Sequence, residues 1–170
     1  MSKKETKESL EKKINNSWKL LTYCGIVSLC LGIFFIAAYF VNGNIEDGIS
    51  NLNILGTQLT VAVMDIATRS VPVVIVSILF IIVCSKKKST AGWFLLVELL
   101  FLTDMFSSTG ASLAGVRFSP MLSDSLKNLV SIIEGGESIA AIVGLAMIIG
   151  FIRLRLLEKK QEKLSAGNEK

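Results

Sequence analysis

Histidine is absent from the 170 residues of this chain. That absence removes the commonest general base and the commonest metal ligand at neutral pH. Cysteine is scarce: Cys24 and Cys30 fall inside the first long apolar stretch and Cys84 at the end of the second. These three suggest no disulfide framework, because a buried cysteine behaves as a small hydrophobe. No Gly-x-Ser-x-Gly elbow, phosphate-binding loop or Gly-x-Gly-x-x-Gly turn occurs, so the motifs of acyl transfer and nucleotide binding are missing. We expect neither an enzyme nor a bound metal or cofactor. Asn-x-Ser/Thr is also missing from the segments that would lie outside a cell, which favours a bacterial inner membrane.

What the chain has is apolar length. Its residues are 51% hydrophobic and its mean hydropathy is +0.59. The apolar residues come in four blocks, each long enough to cross a bilayer, where about 20 residues of helix suffice. The reading is all-α: a polytopic membrane protein with a four-transmembrane-helix bundle and spans at about 20–41, 65–84, 91–108 and 137–152. Short connections leave no room for a separate soluble domain. A charged helical lead-in (1–19) precedes the membrane domain (20–157), and a charged tail (158–170) follows it.

The positive charge is placed on one side. Lys3, Lys4, Lys7, Lys12, Lys13 and Lys19 precede the first span, Lys86–Lys88 follow the second, and Arg153, Arg155, Lys159, Lys160, Lys163 and Lys170 follow the fourth. Together they are fifteen of the eighteen basic residues. Lysine and arginine near span ends are retained in the cytosol, so both termini and the turn at 85–90 are expected there. The external segments, 42–64 and 109–136, lean acidic. The formal charge of +4 therefore reports topology, and no direct nucleic-acid partner is expected. The lipid bilayer itself is the first partner.

Along the chain, Leu10, Ile14 and Trp18 recur every four residues, as in a helix running into span one. Trp18 and Tyr39 are placed like interfacial anchors. The block Ile54–Cys84 exceeds one perpendicular span, so Ile49–Met64 should be an external approach, as a helical extension or an interfacial turn. Pro72 should kink the span. Span three begins at Ala91, with Trp93 as a belt residue, and the small residues from Ser107 to Ser112 suit either a helix continuation or a re-entrant turn. Ser119-Pro120 opens an external amphipathic helix between spans three and four, lying at the outer interface. Gly135-Gly136 should end it. A charged helix from Arg153 to about Leu164 leaves the membrane, and Ser165–Lys170 should be disordered.

Charges at membrane depth are expensive and carry the functional signal. Asp65 and Arg69 are four residues apart and share a face. Counting rise per residue places Arg69 about 22 Å and Asp104 about 18 Å from the cytosolic boundary. Antiparallel neighbours could thus bring Asp65, Arg69 and Asp104 into one cluster, either a structural pairing or a site that conducts, senses or binds. Arg69 would keep both aspartates ionised, which argues against an intramembrane aspartyl pair. Glu98 sits about 9 Å deep, level with residues such as Ser28, Ser77 and Met147 and with no basic residue. There it should snorkel to the headgroups, take up a proton, face water or bind an ion.

Small residues at four-residue spacing form stripes: Cys24, Ser28 and Gly32 on span one; Ala140 with Gly144, and Ala146 with Gly150, on span four. Such stripes admit close helix packing, within a subunit or between subunits, and a homo-oligomer is expected. Two functional readings follow. In the first, a membrane sensor or anchor subunit recruits an acidic cytosolic protein through Arg153, Arg155, Lys159 and Lys160. In the second, an oligomeric ion channel or proton-coupled transporter uses the intramembrane carboxylates. The four spans and the basic ends (Lys3–Lys19, Lys86–Lys88, Arg153–Lys163) are similar to the membrane subunit of Kiwa-type phage-defence systems. That resemblance implies a tetrameric membrane sensor paired with a soluble effector. Small immunity and superinfection-exclusion membrane proteins share the same outline.

Overall fold

A computed structural model describes residues 7–42, 55–117 and 124–167. The described residues form four α-helices and no strand: α1 (Lys7–Asn42), α2 (Leu55–Ser85), α3 (Ala91–Arg117) and α4 (Asp124–Gly167). Three of them, α1, α2 and α4, are long and apolar enough to cross a membrane. Their outward faces carry large hydrophobic side chains, among them Phe40 at 71%, Ile142 at 68% and Leu100 of α3 at 67% exposure. An apolar surface that encircles the bundle calls for a lipid surround.

Pairwise contacts fix the packing. On α1, Gly25 faces Phe80 and Ile81 of α2 while Gly32 faces Val74 and Ser70, so the two helices run antiparallel. α4 is antiparallel to α1 as well, with Gly136 against Phe35 and Gly150 against Leu20 and Leu21. α3 opposes both α2 (Ser77 with Glu98, Arg69 with Asp104) and α4 (Gly92 with Phe151). The start of α1, the α2–α3 turn and the end of α4 therefore meet at one end of the bundle. The lysine and arginine runs gather at that end. Trp18, in place of anchoring at an interface, is 5% exposed and packs into the core there with Leu21, Cys84 and Leu154. The Leu10–Ile14–Trp18 stripe is the reason: Leu10 and Trp18 are buried, and Ile14 packs beside the cluster that holds Leu154 of α4.

The turn between α2 and α3 is built from lysines. Lys87 N–H bonds Cys84 C=O at 3.0 Å and Lys88 N–H bonds Val83 C=O at 3.1 Å, the pair that closes a Schellman C-cap. Lys87 takes the left-handed position, with φ of 50°, usually held by glycine. α3 starts at once, with Trp93 N–H bonded to Thr90 C=O at 3.0 Å. Trp93 is 73% exposed.

The extension ahead of Asp65 is helical from Leu55 onward, and the small-residue run after Phe106 continues α3 to Arg117. α2 passes through Pro72 unbroken, although the ring removes the amide that would bond Thr68 C=O. The region ahead of span four is a correction. In place of a separate amphipathic helix ended by Gly135-Gly136, one 44-residue helix runs from Asp124 to Gly167. No glycine among the described residues has positive φ, so neither member of the pair forms a left-handed cap. The apolar side chains expected at the interface go inward instead: Val130 and Ile133 are buried with Phe35, Leu102 and Met105. Ser165–Gly167 is also helical, not frayed. The proposed Ser119-Pro120 start lies outside the described residues, as do 1–6, 43–54 and 168–170.

Candidate functional site

The core has two apolar clusters, and a polar layer separates them. One cluster holds Phe35, Val73, Leu102 and Met105; the other holds Cys24, Phe80, Leu95 and Met147. Between them stands Glu98 on α3, with no exposed surface, one turn from Leu95 and one from Leu102. Ser28 of α1 and Ser77 of α2 occupy the same level, both fully buried. Serine in a helix commonly returns its hydroxyl to the carbonyl four residues back, as Ser70 does to Ile66 at 2.7 Å. Ser28 and Ser77 instead turn across the bundle. Both hydroxyls donate to Glu98 Oε1, Ser77 at 2.6 Å, and the two serine oxygens lie 3.2 Å apart. Glu98 Oε2 has no hydrogen-bond partner.

Glu98 therefore neither snorkels nor faces water. α4 closes the layer with apolar and small residues, Val143, Gly144 and Met147, all buried. Of the neighbours counted from depth, Ser28 and Ser77 bond the carboxyl and Met147 joins the cluster beneath it. Ser28 thus belongs to two features at once. It is the middle member of the small-residue stripe and a ligand to the carboxyl.

The second charged group lies two turns further toward the far end. Arg69 Nε donates to Asp65 Oδ1 at 3.0 Å on the same helix, and Nη1 donates to Asp104 Oδ1 at 2.7 Å across to α3. The three side chains are 33–51% exposed. One guanidinium thus clamps two carboxylates and fixes the register of α2 against α3. Glu98 and Asp104, six residues apart, point to different surroundings: one sealed, one half-exposed.

The small-residue stripes pack within the chain. A Cβ on Gly32 would stand 2.7 Å from Val74 Cγ2; Gly150 lies against Leu20 and Leu21 of α1, and Ala146 packs on the lower cluster; Ala140 joins the upper cluster and Gly144 faces Leu99. Between α3 and α4 the packing is thin, and a groove of about 540 Å³ opens there, lined by Leu102, Phe106, Glu137, Ala141 and Gly144 among others. Glu137 Oε1 is buried without a hydrogen-bond partner. As sequence, Glu137 counts among the external acids and opens the span at 137–152; the signal beside it is a second acid, Glu134, one turn before.

At the basic end, Arg155 is engaged internally. It pairs with Glu158 at 3.0 Å, donates to Ser89 C=O at 3.1 Å and covers the ring of Phe151 at 5.0 Å. It fastens the α2–α3 turn to α4. Arg153, Lys159 and Lys160 lie exposed on the last turns of α4.

No protein-family model, curated protein or solved structure matches this chain.

Proposed function

We propose that this chain is a four-span inner-membrane subunit, with both termini cytosolic, that senses or anchors at the membrane and recruits an acidic cytosolic partner. The observation that carries the reading is the gathering of the basic runs at one end of the bundle. α1 and α4 extend beyond the apolar layer there as charged helices, with Lys12, Lys159 and Lys163 exposed. Retention of basic residues in the cytosol orients that end inward. α3 supplies the remaining span, its 27 residues reaching about 40 Å. Self-association draws on the α3–α4 groove, where Ala141 and Gly144 leave room for a close helix. The phage-defence resemblance implies a soluble effector as that partner.

A polar path lined by Glu98 and Asp104 gains no support from a single subunit, since one acid is sealed and the other is held by Arg69. Affinity purification of the full chain tests the recruitment reading. Reversal of charge at Lys159, Lys160 and Lys163 should release the partner and leave the membrane fold intact. Truncation at Arg153 is the poorer variant, because it removes Leu154, which is fully buried. Purification that recovers no stoichiometric partner would end this reading.

A further inference from the structure

The polar layer is unbalanced in either protonation state of Glu98. Ionised, the carboxylate sits among apolar side chains with no cation beside it. Arg69 is two turns away and held by Asp65 and Asp104. α1 has no charged residue from Leu20 to Asn42, α2 none from Ser70 to Ser85, and α4 none from Ser138 to Ile152. Protonated on Oε2, the group carries a hydroxyl with no acceptor. A buried charge or donor without a partner is costly in both cases.

Three oxygens from three helices meet at this level, Glu98 Oε1, Ser28 Oγ and Ser77 Oγ, and Glu98 Oε2 stands beside them buried and without a partner. All are hard donors, which select a hard cation. One carboxylate balances one positive charge. The described residues contain no group of three or more His, Cys, Asp or Glu that would hold a divalent or transition metal. The oxygens are closely spaced, with contacts of 2.6 and 3.2 Å, and the apolar clusters above and below hold the helices together. An ion here takes the place of a proton among oxygens already in hydrogen-bond contact, so a small one is accommodated better than a large one.

We infer that Glu98, Ser28 and Ser77 form a binding site for a small dehydrated monovalent cation of the sodium class, which exchanges with a proton on Glu98. Binding ties α1, α2 and α3 together at the buried carboxyl between the two apolar clusters, so it stabilises the bundle as any ligand specific to the folded state does. The α3–α4 groove, lined by Leu99 and Leu102, brings the outside of the bundle within one turn of Glu98. The inference requires the membrane setting and is independent of partner recruitment.

The test uses the full-length protein purified in detergent. Equilibrium dialysis with radiosodium should find one ion per chain, displaced by lithium and not by potassium. Binding should weaken as pH falls, because ion and proton compete for one carboxylate. Glu98→Gln, which keeps an acceptor for both serines, should abolish it while helical circular dichroism is unchanged. Ser77→Ala should weaken it by about tenfold or more. In parallel, carbodiimide modification of Glu98, mapped by mass spectrometry, should slow in sodium chloride and not in potassium chloride of equal ionic strength. Absence of Glu98-dependent sodium binding in the folded protein, or modification that follows pH alone, means that the carboxyl carries only a proton, and overturns the inference.

Discussion

Gly136 on α4 lies so close to Phe35 on α1 that a Cβ there would stand 2.9 Å from the ring's Cε2, and nearer still to Cζ. Its neighbour Gly135 has nothing within 4 Å. Two adjacent glycines in one helix thus have different reasons to be there. Gly136 sets how near α1 and α4 approach, while Gly135 faces outward and only loosens the helix.

This asymmetry is measurable. Gly135→Ala should stabilise the protein by about 0.5–1 kcal/mol, the gain of alanine over glycine inside a helix. Gly136→Ala should destabilise it by about 1–3 kcal/mol, because Phe35 must move within a packed core. Thermal unfolding in detergent reads both. Equal shifts at the two positions would show that α1 and α4 do not meet at Phe35.

Why Gly135-Gly136 misleads as sequence is a matter of backbone. Paired glycines after an amphipathic run read as a helix stop, since glycine supplies the left-handed cap. Only the dihedral angles tell a cap from a close contact, and here none is positive. Other features were legible because they depend on a constant rise. Helices that start from one common end keep step at equal rise per residue, so counting placed Ser28 and Ser77 level with Glu98, and Arg69 near Asp104. Trp18 is ambiguous as sequence, because tryptophan at a span end suits either an interface or a core. The partner across the bundle decides, and that partner is about 136 positions away at Leu154. The fate of the small-residue stripes was illegible for the same reason, since spacing shows that a face is smooth and not what lies upon it.

The Arg69 clamp should appear as coupling. Arg69→Ala takes the guanidinium from both carboxylates and leaves the Asp104 charge without it, whereas combining it with Asp104→Asn removes that charge as well. The double variant should therefore melt above the single one. A double-mutant cycle in detergent or bicelles measures the difference. Strictly additive effects would show that the Arg69–Asp104 contact at 2.7 Å contributes nothing.

The polar layer should tolerate loss of its acid better than loss of its donors. Ser28→Ala with Ser77→Ala removes both hydroxyls from Glu98 Oε1, and should cost about 1–3 kcal/mol for the unsatisfied buried group. Glu98→Leu leaves two serines 3.2 Å apart, able to bond each other or the carbonyls four residues back. That variant should match or exceed the parent in thermal midpoint, measured without added sodium. A reversed order would mean that the carboxyl, not the hydroxyls, holds the three helices.

At the α2–α3 turn, Lys87→Gly should stabilise by about 1 kcal/mol, since glycine adopts the left-handed region without the Cβ penalty. Lys87→Val should do the opposite, because a branched side chain fits that region worst. Denaturant midpoints of the two variants bracket the parent if φ is near the observed 50°. If the valine variant equals the parent, the turn does not have this conformation.

The last prediction concerns sidedness. With the native cysteines replaced, single cysteines at Lys87 and Lys163 should react with an impermeant maleimide only in inverted vesicles, and one at Glu46 only in intact cells stripped of outer membrane. Lys87 belongs to the α2–α3 turn and Lys163 to the end of α4, and the antiparallel contacts along the bundle place both beside the start of α1. An even number of crossings must separate them. The charge runs determine which face that is, because moving lysines outward opposes the retention that orients the spans. Replacing Lys86, Lys87 and Lys88 together with glutamine should therefore weaken orientation without unfolding the helices, giving a mixed labelling pattern. If Lys87 and Lys163 label from opposite sides, α3 and α4 do not both cross the bilayer.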